Sequence, residues 1–274
     1  MEADANPANQ RAYPMNPKHA HAVKEEIDKL LKAGFIYEIE HTDWVSPIVI
    51  VLKKNGKIRV CVNYKKVNAA TKRDNYPLPY TEHMLERVAR KEAYSFLDGF
   101  SGYNQVQVHS NDRHKTAFAT EWGVFAYIVM PFGLTNAPAT FQQLMCAIFK
   151  DMLRKWLEVF VEDLCVHSNW EEHLEKLRLI FERYRKYGLS LNPLKCQFWV
   201  KHGCILGHIV SRNGIATDFS KVRVIVDLPP PVNFKGVQCF LGHTGYYRRF
   251  VLNYALIAQP LYKLWIVFEW IKEC

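Results

Sequence analysis

Apolar residues Val23, Ile27, Leu30 and Leu31 recur at helical spacing, and Gly34 follows where a helix C-terminus takes a glycine. The spacing predicts an amphipathic helix from His19 to Ala33. Ahead of it, the polar stretch through Pro14 and Pro17 is rich in proline and asparagine, which predicts an extended lead-in. After Trp44-Val-Ser-Pro47, the β-rich runs Ile48–Leu52 and Ile58–Val62 flank Lys53-Lys-Asn-Gly-Lys57. The Asn-Gly pair predicts a hairpin with a basic tip. Pro77-Leu-Pro79 then breaks the chain, a second helix is expected over His83–Val88, and a strand over Tyr94–Leu97. Further strands are expected around Gln105–His109 and Phe125–Met130.

Helices are predicted over Ala137–Lys155 and Trp170–Tyr187. Between them, Leu157–Val161 and Leu164–His167 read as two strands joined by an acidic turn. The last third predicts strands near Gln197–Val200 and Ile205–Val210 and a helix-rich end from Lys235. Pro229-Pro-Pro231 punctuates the two. Strands and helices interleave without a repeating βα unit or an internal repeat, so the expected class is α+β.

Composition changes this picture little. With 49% hydrophobic and 23% charged residues the chain is ordinary globular material. Its net charge of +9 suits an anionic partner and equally serves solubility. Seven scattered cysteines, with no C-x-x-C pair, suggest neither a zinc site nor a disulfide framework. No apolar run approaches the roughly 20 residues of a membrane span, and Met1–Gln10 lacks the apolar core of a secretory signal. The expectation is an intracellular, unanchored chain in a reducing compartment.

Two acidic sites stand out because each ends an apolar strand: Asp98 in Leu97-Asp98-Gly99, and Glu162-Asp163 after Phe160-Val161. Adjacent acids at a hairpin tip project carboxylate oxygens beyond a hydrophobic sheet, and hard divalent cations prefer such ligands. A third carboxylate on a neighbouring strand completes a set able to hold two ions roughly 3.5–4 Å apart, the arrangement of in-line phosphoryl transfer. Taken alone, the same acids read equally well as a solvated turn and a strand-end acid.

The order of the blocks decides between these readings. Trp44-Val-Ser-Pro47, Ala69–Pro79, Phe96-Leu-Asp-Gly-Phe-Ser-Gly-Tyr-Asn-Gln105, Met130-Pro-Phe-Gly-Leu-Thr-Asn-Ala-Pro-Ala-Thr-Phe-Gln142, the acidic turn, Leu206-Gly-His208 and Phe240–Phe250 follow one another. This series resembles the successive blocks of reverse transcriptases of gypsy-class LTR retrotransposons, most like the plant elements, from about Pro14 to the end. The resemblance implies an α+β right-hand polymerase fold: a lead-in over 1–17, fingers over 18–94 with 110–129, a palm over 95–214 and a helix-rich thumb over 215–264. It implies an RNA-directed DNA polymerase in which Asp98, Glu162 and Asp163 bind two Mg²⁺ ions, with Mn²⁺ as an alternative.

The partners so implied are an RNA or DNA template with its primer, and deoxynucleoside triphosphates. Lys54 and Arg59 match the fingers residues that clamp the triphosphate, although basic residues on a hairpin are more often a solvated face. Tyr103 matches the ring against which the nucleotide sugar packs, where its bulk excludes a 2′-hydroxyl. Gly99, Ser101 and Gly102 form a turn whose small residues let backbone N–H groups approach the triphosphate. Phe132 matches the contact to the forming base pair. Leu206, Gly207 and His208 match the hairpin that grips the primer end, and Tyr246, Tyr247, Arg248 and Arg249 the thumb surface against the duplex. Family analogy implies cytoplasmic virus-like particles as the location.

The sequence departs from that pattern where it matters most. Glu162 stands where the family has Asp; the added methylene moves the carboxylate by more than an ångström, and misplacement on this scale costs on the order of 100-fold in rate. Impaired polymerisation is therefore expected. Ile58, Asn63 and Lys65 replace a usual Trp, Asp and Arg in the fingers, and Lys does not reproduce a bidentate Arg contact. The end, Phe268–Cys274, looks like the start of a ribonuclease H connection, and no protease, ribonuclease H or integrase block is present. The competing readings are a catalytically dead homologue that only binds nucleic acid, and a decayed remnant of an element.

Overall fold

The computed structural model of the chain describes residues 5–52 and 58–264. Helix α1 (Pro17–Lys32) begins where Asn16 accepts the Lys18 N–H at 3.0 Å with Pro17 at its first position, and ends at Ala33, just before Gly34 at φ +68°. Its buried stripe, Val23 and Ile27, lies on a five-stranded sheet with the order β1-β6-β5-β2-β3. These strands are β1 (Ile36–Glu38), β2 (Ser46–Leu52), β3 (Ile58–Val62), β5 (Phe118–Thr120) and β6 (Gly123–Tyr127). Ile36, Trp44, Ile48, Phe118 and Phe125 complete this first core; each such side chain removed from water contributes about 1.5–3 kcal/mol.

The second sheet carries the chemistry. It is antiparallel, ordered β7-β8-β4-β9, and built from β4 (Ala93–Asp98), β7 (Leu157–Phe160), β8 (Asp163–Ser168) and β9 (Gln197–Val200). Both faces are covered, which is why Ala93–Leu97 is an unbroken buried run and not an alternating one. On one face α4 (Ala137–Ile148) and α5 (Trp170–Lys186) bring Phe141, Met145, Leu177 and Ile180 onto Leu97, Val159, Leu164 and Val166. On the other, Met84, Leu85 and Val88 of α3 (Thr81–Val88) pack on Tyr94, Phe96 and Cys165.

A three-stranded meander of β10 (His202–Ile205), β11 (His208–Ser211) and β12 (Gly214–Thr217) leans on the same face through Ile205 and Val210. Gly203 permits that approach: a Cβ there would stand 2.1 Å from the Phe96 ring. Helices α6 (Phe219–Val226), α7 (Phe234–Tyr246) and α8 (Tyr254–Lys263) follow, with Val237, Leu241, Ala258 and Leu264 as their core.

Three expectations are corrected. The strand expected over Gln105–His109 is a 3-10 turn, Gly102–Gln105, followed by a single bridge from Gln107 to Val129, flanked by the Val108 N–H on the Ile128 carbonyl at 2.9 Å and the Met130 N–H on the Val106 carbonyl at 2.8 Å. The helix expected to reach Lys155 stops at Ile148; the chain turns back through Arg154, at φ +63°, to enter β7. The single strand expected over Ile205–Val210 is a hairpin, since Leu206 and Gly207 both take left-handed backbone at φ +47° and +65°. The basic hairpin tip with Lys54, and the stretch from Trp265 onward, lie outside the described residues.

Candidate active site

Strand β4 places Asp98 at its end, the first position beyond the packed layer. Because β8 runs antiparallel beside it, Asp163, the first residue of β8, sits directly opposite Asp98. The β7–β8 hairpin closes on the Phe160–Asp163 pair, leaving Val161 and Glu162 as its two-residue turn. Val161 holds φ +53°, an outlier for a β-branched residue that persists only where the surroundings enforce it. Gln142 of α4 does so: fully buried, it accepts the Val161 N–H at 2.6 Å and donates to the Val159 carbonyl at 3.1 Å.

A second clamp fixes the turn after Asp98. Gln105 donates to the Phe100 and Ser190 carbonyls at 2.7 and 3.0 Å and accepts the Ser190 N–H at 2.8 Å. The Gly99 N–H reaches the Glu162 carbonyl at 3.3 Å, so the two acidic turns are tied together through backbone. Ser101, at φ +49°, turns the chain into the Gly102–Gln105 turn.

The electrostatics are those of a site short of positive charge. Glu162 is pushed above the usual carboxylate range, first by burial and then by the charges of Asp98 and Asp163, with the Tyr103 backbone N–H opposing. Asp163, although its outer edge is exposed, is raised by the packing around it and by Asp98. Lys195 supplies the local compensation, its Nζ lying 3.2 Å from each Asp98 oxygen. Glu162 Oε1 is buried with no hydrogen-bond partner. Hard oxygen donors, mutual repulsion and one orphaned buried oxygen suit a divalent cation. Yet among the described residues no three acids, histidines or cysteines converge on one point. Asp98 and Asp163 form the natural pair; Glu162 is turned toward Gly102 and Tyr103.

Beside the acids, Tyr103 packs its ring against Phe132 at 4.9 Å and edge-on to Phe141 at 5.7 Å. Burial, then the Glu162 charge, pushes its phenol up to about 12. Half-exposed Phe132 sits on a loop pinned by Asn68, which donates to the Gly133 carbonyl and accepts the Thr135 N–H, both at 2.8 Å. A cavity of about 640 Å³ joins Phe132 and Ser101 to exposed Arg59 on β3. The structure thus brings Arg59, Ser101 and Phe132 to one opening.

On the opposite side of Asp98 and Asp163, a smaller cavity of about 270 Å³ runs to Leu206 and Gly207. Tyr246 and Tyr247 hold this hairpin: their hydroxyls donate to the Leu206 and Gly207 carbonyls, the latter at 2.7 Å, and both rings pack on buried His208. Arg248 and Arg249 pair with Glu82 and Glu86 of α3. Sequence reasoning missed Lys195, Gln142, Gln105 and Asn68. The last three stand inside or beside the quoted blocks, but nothing in periodicity or charge marks an amide as a clamp.

Paired carboxylates at the rim of an antiparallel sheet backed by two helices, with a basic and aromatic opening alongside, have the layout that a phosphoryl-transfer site of the polymerase kind would use. Comparison with known proteins agrees. Residues 51–210 match the family described as reverse transcriptase (RNA-dependent DNA polymerase). The chain is 36% identical over 262 residues to the retrovirus-related Pol polyprotein from transposon 297 of Drosophila melanogaster, covering 93% of this chain and 25% of that protein. It is 31% identical over 255 residues to the Tf2-3 transposon polyprotein of Schizosaccharomyces pombe, covering 93% and 19%. The chain belongs to the reverse transcriptase family, whose members use divalent metal ions, and it spans a quarter or less of the length of these curated relatives.

Solved structures give the same fold. The foamy viral protease-reverse transcriptase in complex with an RNA/DNA hybrid superposes with a TM-score of 0.88 at 24% identity, over 99% of this chain and 37% of that one. A second foamy viral form, in complex with double-stranded DNA, gives 0.90 at 25% identity, over 97% and 48%. The architecture is the mixed helix-and-sheet polymerase fold.

Proposed function

We propose that this chain is the RNA-directed DNA polymerase domain of a gypsy-class, plant-type retrotransposon Pol polyprotein. The observation that carries the reading is the Asp98–Asp163 pair, set across one antiparallel register with Glu162 on the adjoining turn. In this reading residues 18–94 with 110–129 are the fingers, 95–214 the palm and 215–264 the thumb. The relatives solved with an RNA/DNA hybrid and with double-stranded DNA support a nucleic-acid template with its primer as the partner; deoxynucleoside triphosphates follow as the substrate from the polymerase reading itself. By the same analogy the protein works in cytoplasmic virus-like particles.

Asp98 and Asp163, with Glu162 if it turns inward, would hold two Mg²⁺ ions. When bound, these supply charge neutralisation at the attacking and leaving oxygens. The chain's own residues do the positioning. Arg59 meets the triphosphate from the fingers, and the backbone of Gly99, Ser101 and Gly102 approaches it from below. Tyr103 faces the sugar and Phe132 the base pair. Leu206 and Gly207, backed by buried His208, would present the primer end, whose 3′-oxygen forms the new bond to the α-phosphorus as pyrophosphate leaves. No protein nucleophile is required.

A second reading, a nucleic-acid-binding homologue that does not extend primers, is favoured by the placement of the Glu162 side chain over Gly102, with no three acids converging among the described residues. Primer extension on an RNA template with Mg²⁺ or Mn²⁺ separates them, comparing the protein with Glu162→Asp and Asp98→Asn. Extension abolished by Asp98→Asn establishes the polymerase. Extension appearing only in Glu162→Asp establishes a sound scaffold silenced at one position, and silence in all three refutes the catalytic reading of the chain.

A further inference from the structure

Gly102 is buried, and what lies over it is the side chain of Glu162. A Cβ on Gly102 would stand 2.7 Å from Glu162 Oε1, 2.9 Å from its Cγ and 3.1 Å from its Cδ. Such a Cβ and the present Glu162 rotamer exclude one another. The recess that glycine leaves is therefore filled by the carboxyethyl group of Glu162, and its Oε1 is buried there without a hydrogen-bond partner. The other two acids stay behind: Asp163 opposite Asp98, and Asp98 paired with Lys195 at 3.2 Å.

We propose that Gly102 is a positioning residue that stows the Glu162 carboxylate, drawing the third acid off the Asp98–Asp163 pair and into the backbone cradle of the incoming triphosphate. The inference rests on the polymerase reading of the site. Three features of the chain produce the stowed state. Glutamate is longer than aspartate by one C–C bond, about 1.5 Å, so it reaches across the turn. Three like charges at one rim repel, and moving one away relieves the other two. Gly102, lacking a Cβ, leaves the room that receives it, while the Tyr103 N–H offers the carboxylate partial compensation.

The stowed carboxylate has two consequences. A cation at the rim meets two carboxylates where three would otherwise converge, with Lys195 already neutralising one of them. An incoming triphosphate meets a negative group lying in its own cradle. Glu162 thus acts twice, through absence from one place and presence in another, and Gly102 permits both.

Gly102 is not in the left-handed region, and the three nearest atoms to a Cβ all belong to one flexible side chain. Alanine there displaces Glu162 and leaves the backbone in place. The test is Mn²⁺ titration of the full chain, with free Mn²⁺ read by electron paramagnetic resonance. Gly102→Ala is expected to tighten Mn²⁺ binding about tenfold, the lower end of what groups supporting a metal ligand are worth. In a Glu162→Asp background, where no methylene reaches the recess, the same Gly102→Ala change is expected to leave affinity unmoved.

Equal tightening in both backgrounds, or none in the first, overturns the proposal. Glu162→Gln provides a measurement free of any packing change: if Glu162 is stowed, removing its charge leaves Mn²⁺ affinity as it was. A loss comparable to that of Asp98→Asn would mean that Glu162 already holds the ion, and the proposal fails. Primer extension on the same samples keeps the two claims apart. Tighter Mn²⁺ binding without extension sinks the polymerase reading and leaves the stowing intact; extension with no effect of Gly102 does the reverse.

Discussion

Substituting Gln142 by leucine, which keeps side-chain size and removes both amide groups, tests whether the acidic turn is held from behind. Gln142 is fully buried; it accepts the Val161 N–H of the turn at 2.6 Å and donates to the Val159 carbonyl of β7 at 3.1 Å, besides a contact to Cys146 Sγ at 3.2 Å within its own helix. Leucine leaves the Val161 N–H without this acceptor, and a buried donor so stranded costs about 1–3 kcal/mol. The loss also releases Val161 from φ +53°, which a β-branched residue does not hold unaided. The expected destabilisation is about 2–3 kcal/mol, which at roughly 2–4 °C per kcal/mol lowers the unfolding midpoint by about 4–12 °C.

The catalytic effect should exceed the stability effect. A turn free to relax shifts Glu162 and Asp163 by the order of an ångström, for which a loss of about 100-fold in extension rate is expected in any background active enough to measure, such as Glu162→Asp. Thermal unfolding read by circular dichroism and single-nucleotide primer extension are the two assays. Adding Val161→Gly should recover part of the stability, because glycine accepts the positive φ, without recovering the rate. An unfolding midpoint and an extension rate both equal to those of the parent would refute the clamp.

Three further outcomes follow from the same geometry. Arg87 donates to both oxygens of the buried Glu158 carboxylate at 2.6 and 2.8 Å, so Arg87→Ala strands a charge and should cost about 3–5 kcal/mol in chemical denaturation, while Arg87→Met with Glu158→Met should restore most of it. Burial, and then nearby positive charge, lowers His167 from 6.5 to about 3. The unfolded chain therefore binds the extra proton between those values; stability present above pH 6.5 is lost as pH falls through that window, by up to about 1.4 kcal/mol per pH unit, and His167→Gln should flatten the dependence of the unfolding midpoint on pH. Tyr103→Ala removes the ring packed on Phe132 and should raise ribonucleotide incorporation relative to deoxyribonucleotide in a competition extension assay; an unchanged ratio refutes the steric role.

The elements that were legible in the sequence are those in which one face is buried. The Val23–Ile27 stripe and the paired runs around Asn55-Gly56 both report a single covered surface, and α1 and the β2–β3 pair stand where that pattern places them. What was not legible depends on partners distant in the chain. Gln105–His109 alternates like a strand, but Gln105 closes the preceding 3-10 turn with its side chain on Phe100 and on Ser190, eighty-five residues away, and only a single bridge at Gln107 remains of the strand. Ile205–Val210 is apolar throughout except for Gly207 and His208, and only the left-handed pair Leu206-Gly207 shows that it folds back on itself. Short β1, β5 and α2 (Lys65–Ala69) leave too few residues for any period to show.

The site divides along the same line. Asp98, Glu162 and Asp163 could be found because acids at the ends of apolar strands violate the local pattern, and the structure does set Asp98 against Asp163. Their mutual arrangement could not be found, because it is decided by groups that obey the pattern. A glycine reads as a turn, an internal glutamine as a helix residue, and a lysine on a loop as solvated surface; yet Gly102 receives Glu162, Gln142 enforces the Val161 turn, and Lys195 sits on Asp98. The departure from aspartate at position 162 is thus a property of four residues. The longer acid matters because a glycine lies within its reach, because the turn that carries it is clamped and does not follow it, and because a lysine already answers part of the charge it leaves behind. Returning the side chain to aspartate alone changes the reach while keeping the clamp and the lysine, which makes Glu162→Asp the least disruptive way to restore three converging carboxylates.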